Sequence, residues 1–318
     1  MTPITRSLVT TVAGLLATSL LAVLPGTAAP AGAEGEYDGD PDPLRSILLP
    51  PLDAVVELLP PLKAPPTTYA GDICVSGADA CIDEVITRME HRLDILAASC
   101  DHSAIFSLAY LRVTENVRDA VRSGYFVDHA WLNRVDAVFA EMYFDTTARW
   151  AAGERTGIPK AWTIALQAED DRAMSGLGNF LLAMNAHINT DFPHVLAAVG
   201  ISGPDGSHKT DHNRYNKRLD SLYAPVFKEE ARRFDPAFDD IDLGSLEETA
   251  AGAIMRGWRE MVWRNAERLA LASTPAQRRA AESWIETYSA AQAVLIRQFF
   301  TARPTRRDAW CAAHGLDG

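Results

Sequence analysis

Cysteine is scarce in this chain, and so are basic side chains. There are four cysteines in 318 residues, none in a Cys-x-x-Cys pair and none with a histidine at zinc-finger spacing. A zinc–thiolate module is therefore not expected. Lysine and arginine total 30 against 42 acids, a net charge of −12. Such a balance excludes nucleic acid as the main partner, and it excludes broad docking on anionic lipid. There is no Gly-x-Ser-x-Gly elbow and no glycine-rich phosphate loop. No convincing run alternates apolar and polar residues, so strands are not expected. What remains, 47% apolar and 23% charged, is a globular composition.

The N-terminus reads as a secretory leader over residues 1–33. Arg6 is the only charged side chain before Glu34, and an apolar run follows from Leu8 to Leu24. Ala31-Gly32-Ala33 fits the small-x-small cleavage pattern, with Thr27-Ala28-Ala29 as the other candidate. An uncleaved anchor fits less well, because no stop-transfer charges follow. No later stretch is long and apolar enough to span a bilayer. The four cysteines agree with export, since an even count in an oxidising compartment implies disulfides. Three pairings are open. Cys74–Cys81 with Cys100–Cys311 is preferred, because the long bridge would constrain the unfolded chain most.

Residues 34–70 form a second region. Eight prolines fall between Pro41 and Pro66, and Leu-Leu-Pro-Pro-Leu occurs at 48–52 and 58–62. Proline removes a donor and disfavours helix at the preceding residue. An extended arm is expected, with one helical turn at 53–59. It lies over the domain surface or straps a partner.

Residues 71–318 are expected to be one all-α domain. Apolar residues recur at three- and four-residue steps over about 80–98, 103–123, 128–152, 159–172 and 172–190, and again over 212–234, 245–272 and 276–301. Gly124 should end the second helix. The fifth is apolar around most of its circumference, which marks a helix buried on several sides. Pro193 ends or kinks it. Residues 234–244 read as an acidic turn. Trp258 and Trp263 read as core residues, with the arginines between them snorkelling to solvent.

Chemistry is expected at that kink. His187 and Asp191 lie four apart on one helical face, Asn185 and Asn189 on another. Such groups must pair with one another, a ligand, a metal or water, because burial alone costs about 1–3 kcal/mol each. His187 and Asp191 are candidate catalytic residues and candidate ligands for zinc or another divalent metal. Asp136, Glu141, His129 and Glu115 are candidates to complete such a site, with Asp136 and Glu115 as further catalytic groups. Asn185, Asn189, Tyr143 and Asp211 are candidate substrate-binding residues. Glu115, Asp136 and Tyr143 would orient His187. Asp211 also suits the N-cap of the following helix. The competing reading is a buried network that caps broken helix ends.

The chain resembles a bacterial, actinobacteria-rich domain-of-unknown-function family, numbered five-nine-nine-five. The resemblance covers about residues 100–235. It rests on Asn185-Ala186-His187-Ile188-Asn189-x-Asp191, supported by Tyr110-Leu111-Arg112-Val113-Thr114-Glu115, by Asp136 through Phe144, by Ala161-Trp162, and by Asp211 with Asn216. It implies a helical domain and brings no established reaction. Phe192 stands where the family pattern has Leu, a change expected to affect packing. A shorter likeness, over about a dozen residues, is to helical zinc phospholipase C and single-strand nuclease enzymes. It implies His187 and Asp191 as ligands, but the N-terminal Trp ligand of those enzymes has no counterpart here.

Two functions follow. One is an exported metal-dependent hydrolase centred on His187 and Asp191. The other is a non-catalytic exported protein that binds a small apolar or lipid-like ligand, or an envelope partner.

Overall fold

The computed structural model describes residues 59–240, 246–302 and 305–316, the side chains of 246–254 and 305 excepted. The expected leader, the first Leu-Leu-Pro-Pro-Leu and most of the expected turn at 53–59 lie outside these residues. The described chain is all-α: α1 (Ala80–Ala98), α2 (Ala104–Arg122), α3 (His129–Ala151), α4 (Lys160–Asp170), α5 (Gly176–Asn185), a π-helix (Ala186–Asp191), α6 (Phe192–Val199), α7 (Lys209–Asp220), α8 (Tyr223–Arg233), α9 (Leu246–Ala270), α10 (Pro275–Phe300) and α11 (Thr305–His314). A 3-10 turn covers Pro236–Asp240. The β-structure among the described residues is small: a hairpin pairing Ser202–Gly203 with Gly206–Ser207, and an isolated bridge between Met174 and Thr301.

Helix ends follow local chemistry. Asp128 caps α3 by accepting the Trp131 N–H at 2.8 Å. Thr274 and Gln277 form a reciprocal capping box on α10, with Pro275 just inside the start. Gly124 takes φ +70° after α2, as a C-terminal glycine should. The expected helix over 212–234 is instead two, α7 and α8. They break at Ser221–Leu222, three residues before Pro225, whose ring opposes a continuous turn.

Helix α5 starts in a tight place. Ser175 caps it through Gly178 N–H, and Gly176 N–H donates to Asp235 Oδ2 at 2.9 Å. A Cβ on Gly176 would meet that carboxylate oxygen at 2.6 Å and Phe238 at 2.7 Å. Only glycine lets the helix approach so closely. As the apolar circumference implied, α5 is enclosed. It packs against α2, α4 and α10, and the π-helix that extends it packs against α3, α4, α9 and α10. α5, the π-helix and α6 thus make one central rod.

Two disulfides join Cys74 to Cys81 and Cys100 to Cys311, as preferred from the sequence. The second ties α11 to the end of α1 across 211 positions. No helix among the described residues is long and apolar enough to cross a membrane. The two disulfides are consistent with a protein outside the cytoplasm. The described end of the arm lies on the domain. Leu62 N–H donates to Glu267 Oε1 at 2.7 Å, and the Pro60 carbonyl accepts from Arg264 at 3.0 Å.

Candidate functional site

Pro193 shapes the site by what it removes. It has no N–H to give an α-helical acceptor, and its ring crowds the preceding turn. The chain answers with a π-helix rather than a break: the Phe192 N–H reaches back five residues to the His187 carbonyl. π-bulges are rare and concentrate at functional sites. The wider turn keeps His187 and Asp191 on one face, with Nδ1 to Oδ2 at 2.9 Å. Both are 1% exposed. The same oxygen accepts the Trp162 indole N–H at 2.8 Å. The expected capping of broken helix ends is therefore not what these residues do, because the helix is continuous.

That pairing fixes the imidazole. Nδ1 faces a carboxylate and carries the proton, so Nε2 holds the lone pair. Nε2 has no hydrogen-bond partner. Burial pushes the imidazole below its ordinary range, against the opposing pull of Asp191, so the ring stays neutral. Phe139 stacks on it at 3.5 Å between centroids, nearly parallel, and Tyr110 meets it edge-on at 4.6 Å. Phe192 stacks in turn on Phe139 at 4.5 Å.

His187 lies on the wall of a cavity of about 140 Å³ between α2, α3, α5, α7, α8 and α9. The wall is mostly apolar, with Val135, Phe139, Phe180 and Leu222 among its residues. Five of its residues nonetheless carry a buried polar atom without a partner: Tyr110 Oη, Asp136 Oδ2, His187 Nε2, His212 Nδ1 and Tyr223 Oη. His212 repeats the logic of His187. Its Nε2 donates to the Arg259 carbonyl at 3.0 Å, which leaves Nδ1 as an acceptor. Burial and the Arg259 charge hold it well below the ordinary histidine range. Burial raises Asp136 to about 7. Arg259 completes the wall. It is 7% exposed, and desolvation lowers its guanidinium to about 10, still charged at neutral pH.

The other expected site residues divide. Asp136 and Asp211 line the cavity with His187. The Asp211 carboxylate, however, is taken by the Val127 and Asp128 N–H groups at 2.8–3.0 Å. It lies inside the first turn of α7, and His208 occupies the N-cap position, so the expected capping role belongs to a different turn. Asn185 and Asn189 bond to each other at 2.9 Å, and Asn185 donates to the Ser289 carbonyl at 2.9 Å. Their face turns to α10, away from the cavity. Tyr143 packs near His187, but its hydroxyl accepts from Arg92 at 3.1 Å outside the cavity wall. Glu115 pairs with Arg112 at 2.8 Å, which also grips Glu229 and ties α2 to α8. Glu141 pairs with Arg88 on the surface, and His129 bonds the Phe126 carbonyl. Tyr143 lies beside His187 without hydrogen-bonding to it, and Glu115, Glu141 and His129 do not converge on His187 and Asp191.

Sequence reasoning missed Arg259, Tyr223 and the role of Trp162. Arg259 was expected to snorkel and is instead buried. The signal was available in the helical spacing: Met255, Arg259, Val262 and Ala266 fall on one stripe, and all four are buried. Trp258 and Trp263 are core residues as expected, at 1% and 0% exposure.

The donor geometry bears on metal. His187 and Asp191 spend their facing atoms on each other rather than on a shared point. Among the described residues, no three or more His, Cys, Asp or Glu side chains are grouped to hold a metal ion. A structural zinc or a zinc enzyme needs three or four such ligands. These residues fit a proton-holding pair better than a ligand set.

A family model of DUF5995, described as a family of unknown function, matches residues 82–299. The chain belongs to DUF5995. The match takes in all the helices that wall the cavity, the π-helix included. A search of the curated proteins and of the solved structures finds no match. Membership therefore carries no reaction with it, and a function has to be argued from the cavity.

Proposed function

We propose that this DUF5995 protein acts outside the cytoplasm and binds a small, mostly apolar molecule in the central cavity. The supporting observation is that five residues of one mostly apolar wall each carry an unpartnered buried polar atom. Buried polar atoms are nearly always satisfied, and each orphan costs about 1–3 kcal/mol. Five together in one cavity are the pattern of a binding site, in which a few placed polar groups orient an apolar ligand. A dry cavity of roughly 150 Å³ accepts benzene, so the size here suits one ring with a short substituent.

The test is thermal denaturation with indole, phenol, benzyl alcohol and toluene. A ligand at a hundred times its Kd should stabilise the fold by about 2.7 kcal/mol. Val135→Trp, which fills the cavity, should remove that gain. No stabilisation by any of the four would sink the proposal.

A second reading keeps the hydrolase in a metal-free form. It is favoured by the Asp191–His187 pair, which leaves an unpartnered lone pair on Nε2 of a residue that lines the cavity. In that reading His187 is the general base that deprotonates a water, and Asp136, raised to about 7, is a proton donor near neutral pH. Nitrogen NMR of His187 checks the premise: the Nδ1–H tautomer is expected in the wild type and its loss in Asp191→Asn. A wild-type Nε2–H tautomer would remove this reading. Elemental analysis of protein purified without chelator tests the metal-dependent form separately. Stoichiometric metal lost in His187→Ala would restore it.

A further inference from the structure

Arg259 is a buried cation on the cavity wall with no anion to meet. Its Nε donates to Asn216 Oδ1 at 2.6 Å, and a terminal nitrogen donates to the His212 carbonyl. Both acceptors are neutral. The rings of Phe192 and Tyr215 each lie 5.8 Å from its Cζ. Among the described residues, no carboxylate hydrogen-bonds or ion-pairs with it. Asp136 lines the same cavity without pairing with Arg259.

The other buried cations are treated differently. Arg233 pairs with Glu229 at 3.4 Å, and Lys209 with Glu260 at 2.8 Å. Arg307 lies within the charge field of Asp235, Glu230, Glu169 and Asp308. A buried charge without a counter-charge is costly. A neutral Gln could serve Asn216 and the His212 carbonyl at less cost. The charge itself therefore calls for an explanation, and neither neighbour supplies one.

A second observation points to the same place. Tyr223 lines the cavity and lies close enough to Arg259 for each to influence the other's ionisation. Its buried hydroxyl has no partner. A guanidinium and a phenolic O–H, both donors, thus line one cavity. Guanidinium suits carboxylate because its planar fork matches two oxygens. Phe139, Val135 and Phe180 offer the apolar surface for the rest of the molecule.

We propose that the cavity is selective for small apolar carboxylates, with the carboxylate held by Arg259 and the Tyr223 hydroxyl. This rests on the cavity being a ligand site, and it names the class of ligand.

The experiment is calorimetric titration of the full chain at pH 7.5 with phenylacetate and with its neutral isostere phenylacetamide. Phenylacetate should bind at least tenfold tighter. Arg259→Gln should lower phenylacetate affinity at least tenfold and leave phenylacetamide within about twofold. Arg259→Lys should retain part of the preference, and Tyr223→Phe should lower it without touching the charge. If Arg259→Gln does not fold, the wild-type ratio and Tyr223→Phe still decide. Equal binding of the two compounds would overturn carboxylate selectivity and leave the cavity as a site. Binding of neither, nor of the neutral aromatics above, would overturn the cavity reading with it.

Discussion

Arg307 and Arg259 are both buried, and their surroundings are opposites. Arg307, on α11, donates to Asn179 Oδ1 at 2.6 Å and meets His102 through Nδ1 at 3.2 Å and the carbonyl at 3.3 Å. His102 passes the interaction on to Asp308 at 2.9 Å, and burial beside Arg307 lowers that imidazole to about 4. Glu230 has no hydrogen-bond partner for either oxygen, yet the charge of Arg307 offsets part of its burial. This region closes the C-terminus onto α2, α5 and α8, and the Cys100–Cys311 bridge stands behind it. Around Arg259, by contrast, the partners are neutral and the adjacent cavity holds orphaned donors and acceptors. One buried cation is surrounded by acids of the protein itself, although Glu230 keeps both oxygens and Asn179 its Nδ2 without a hydrogen-bond partner. The other faces only neutral acceptors. Burial of a cation is therefore not one signal, and whether an acid faces it distinguishes the two regions.

Four measurements sharpen or break that contrast. The largest effect should come from the C-terminal closure: replacing Cys100 and Cys311 by Ser frees a loop of 211 positions. The chain-entropy estimate is a loss of about 5 kcal/mol, read by denaturant unfolding. A loss under about 1 kcal/mol would mean that the closure holds without its bridge.

Next, Arg307→Met should cost about 3–5 kcal/mol, because it leaves buried acids without their cation. Arg259→Met should cost only about 1–2 kcal/mol, because loss of its two charge-assisted hydrogen bonds is offset by relief of a buried charge that no acid faces. Equal losses would erase the distinction between the two arginines.

The third is pH-dependent. Asp136 titrates near 7 when folded and in the ordinary carboxylate range when unfolded. Its contribution is fully present below the unfolded value and is lost as the pH rises through about 7. Asp136→Asn removes that loss. Relative to wild type, the variant should gain about 3–4 kcal/mol between pH 4 and pH 8. A pH-independent difference would show that the carboxylate is already compensated.

The smallest effect belongs to Phe192→Leu, which removes the ring that stacks on Phe139 at the cavity wall. It should cost about 1 kcal/mol and widen the cavity beside Phe139. Tighter binding of a bulkier aromatic, measured by calorimetry, is the expected companion.

Much of the fold was legible because a helix buried on one face writes its period into the sequence. Ile82, Val85, Ile86, Met89 and Leu93 mark α1 in this way, and all five are buried. The α7–α8 break was not legible, since 212–234 keeps an acceptable period across it and only Pro225 hints at the interruption. At the site, the His187–Asp191 pair was legible because i,i+4 neighbours meet wherever a helix forms. The fates of Glu115 and Asp211 depended on Arg112 with Glu229 and on the 127–128 turn, which are tertiary partners. The orientation of Asn185 and Asn189 toward Ser289 likewise needed α10 in place. Arg259 was hidden by habit: arginine beside tryptophan usually snorkels, and here the stripe of its neighbours overrode the residue type.

The two disulfides also bear on the order in which the chain can mature. Cys74 and Cys81 are seven positions apart, whereas Cys100 must wait for a partner made 211 residues later. Closing a short loop costs far less entropy, so the first pair meets long before the second exists. Early pairing takes both nearby thiols out of circulation. Of these four thiols, Cys100 and Cys311 are then the two left, and neither can mispair with Cys74 or Cys81.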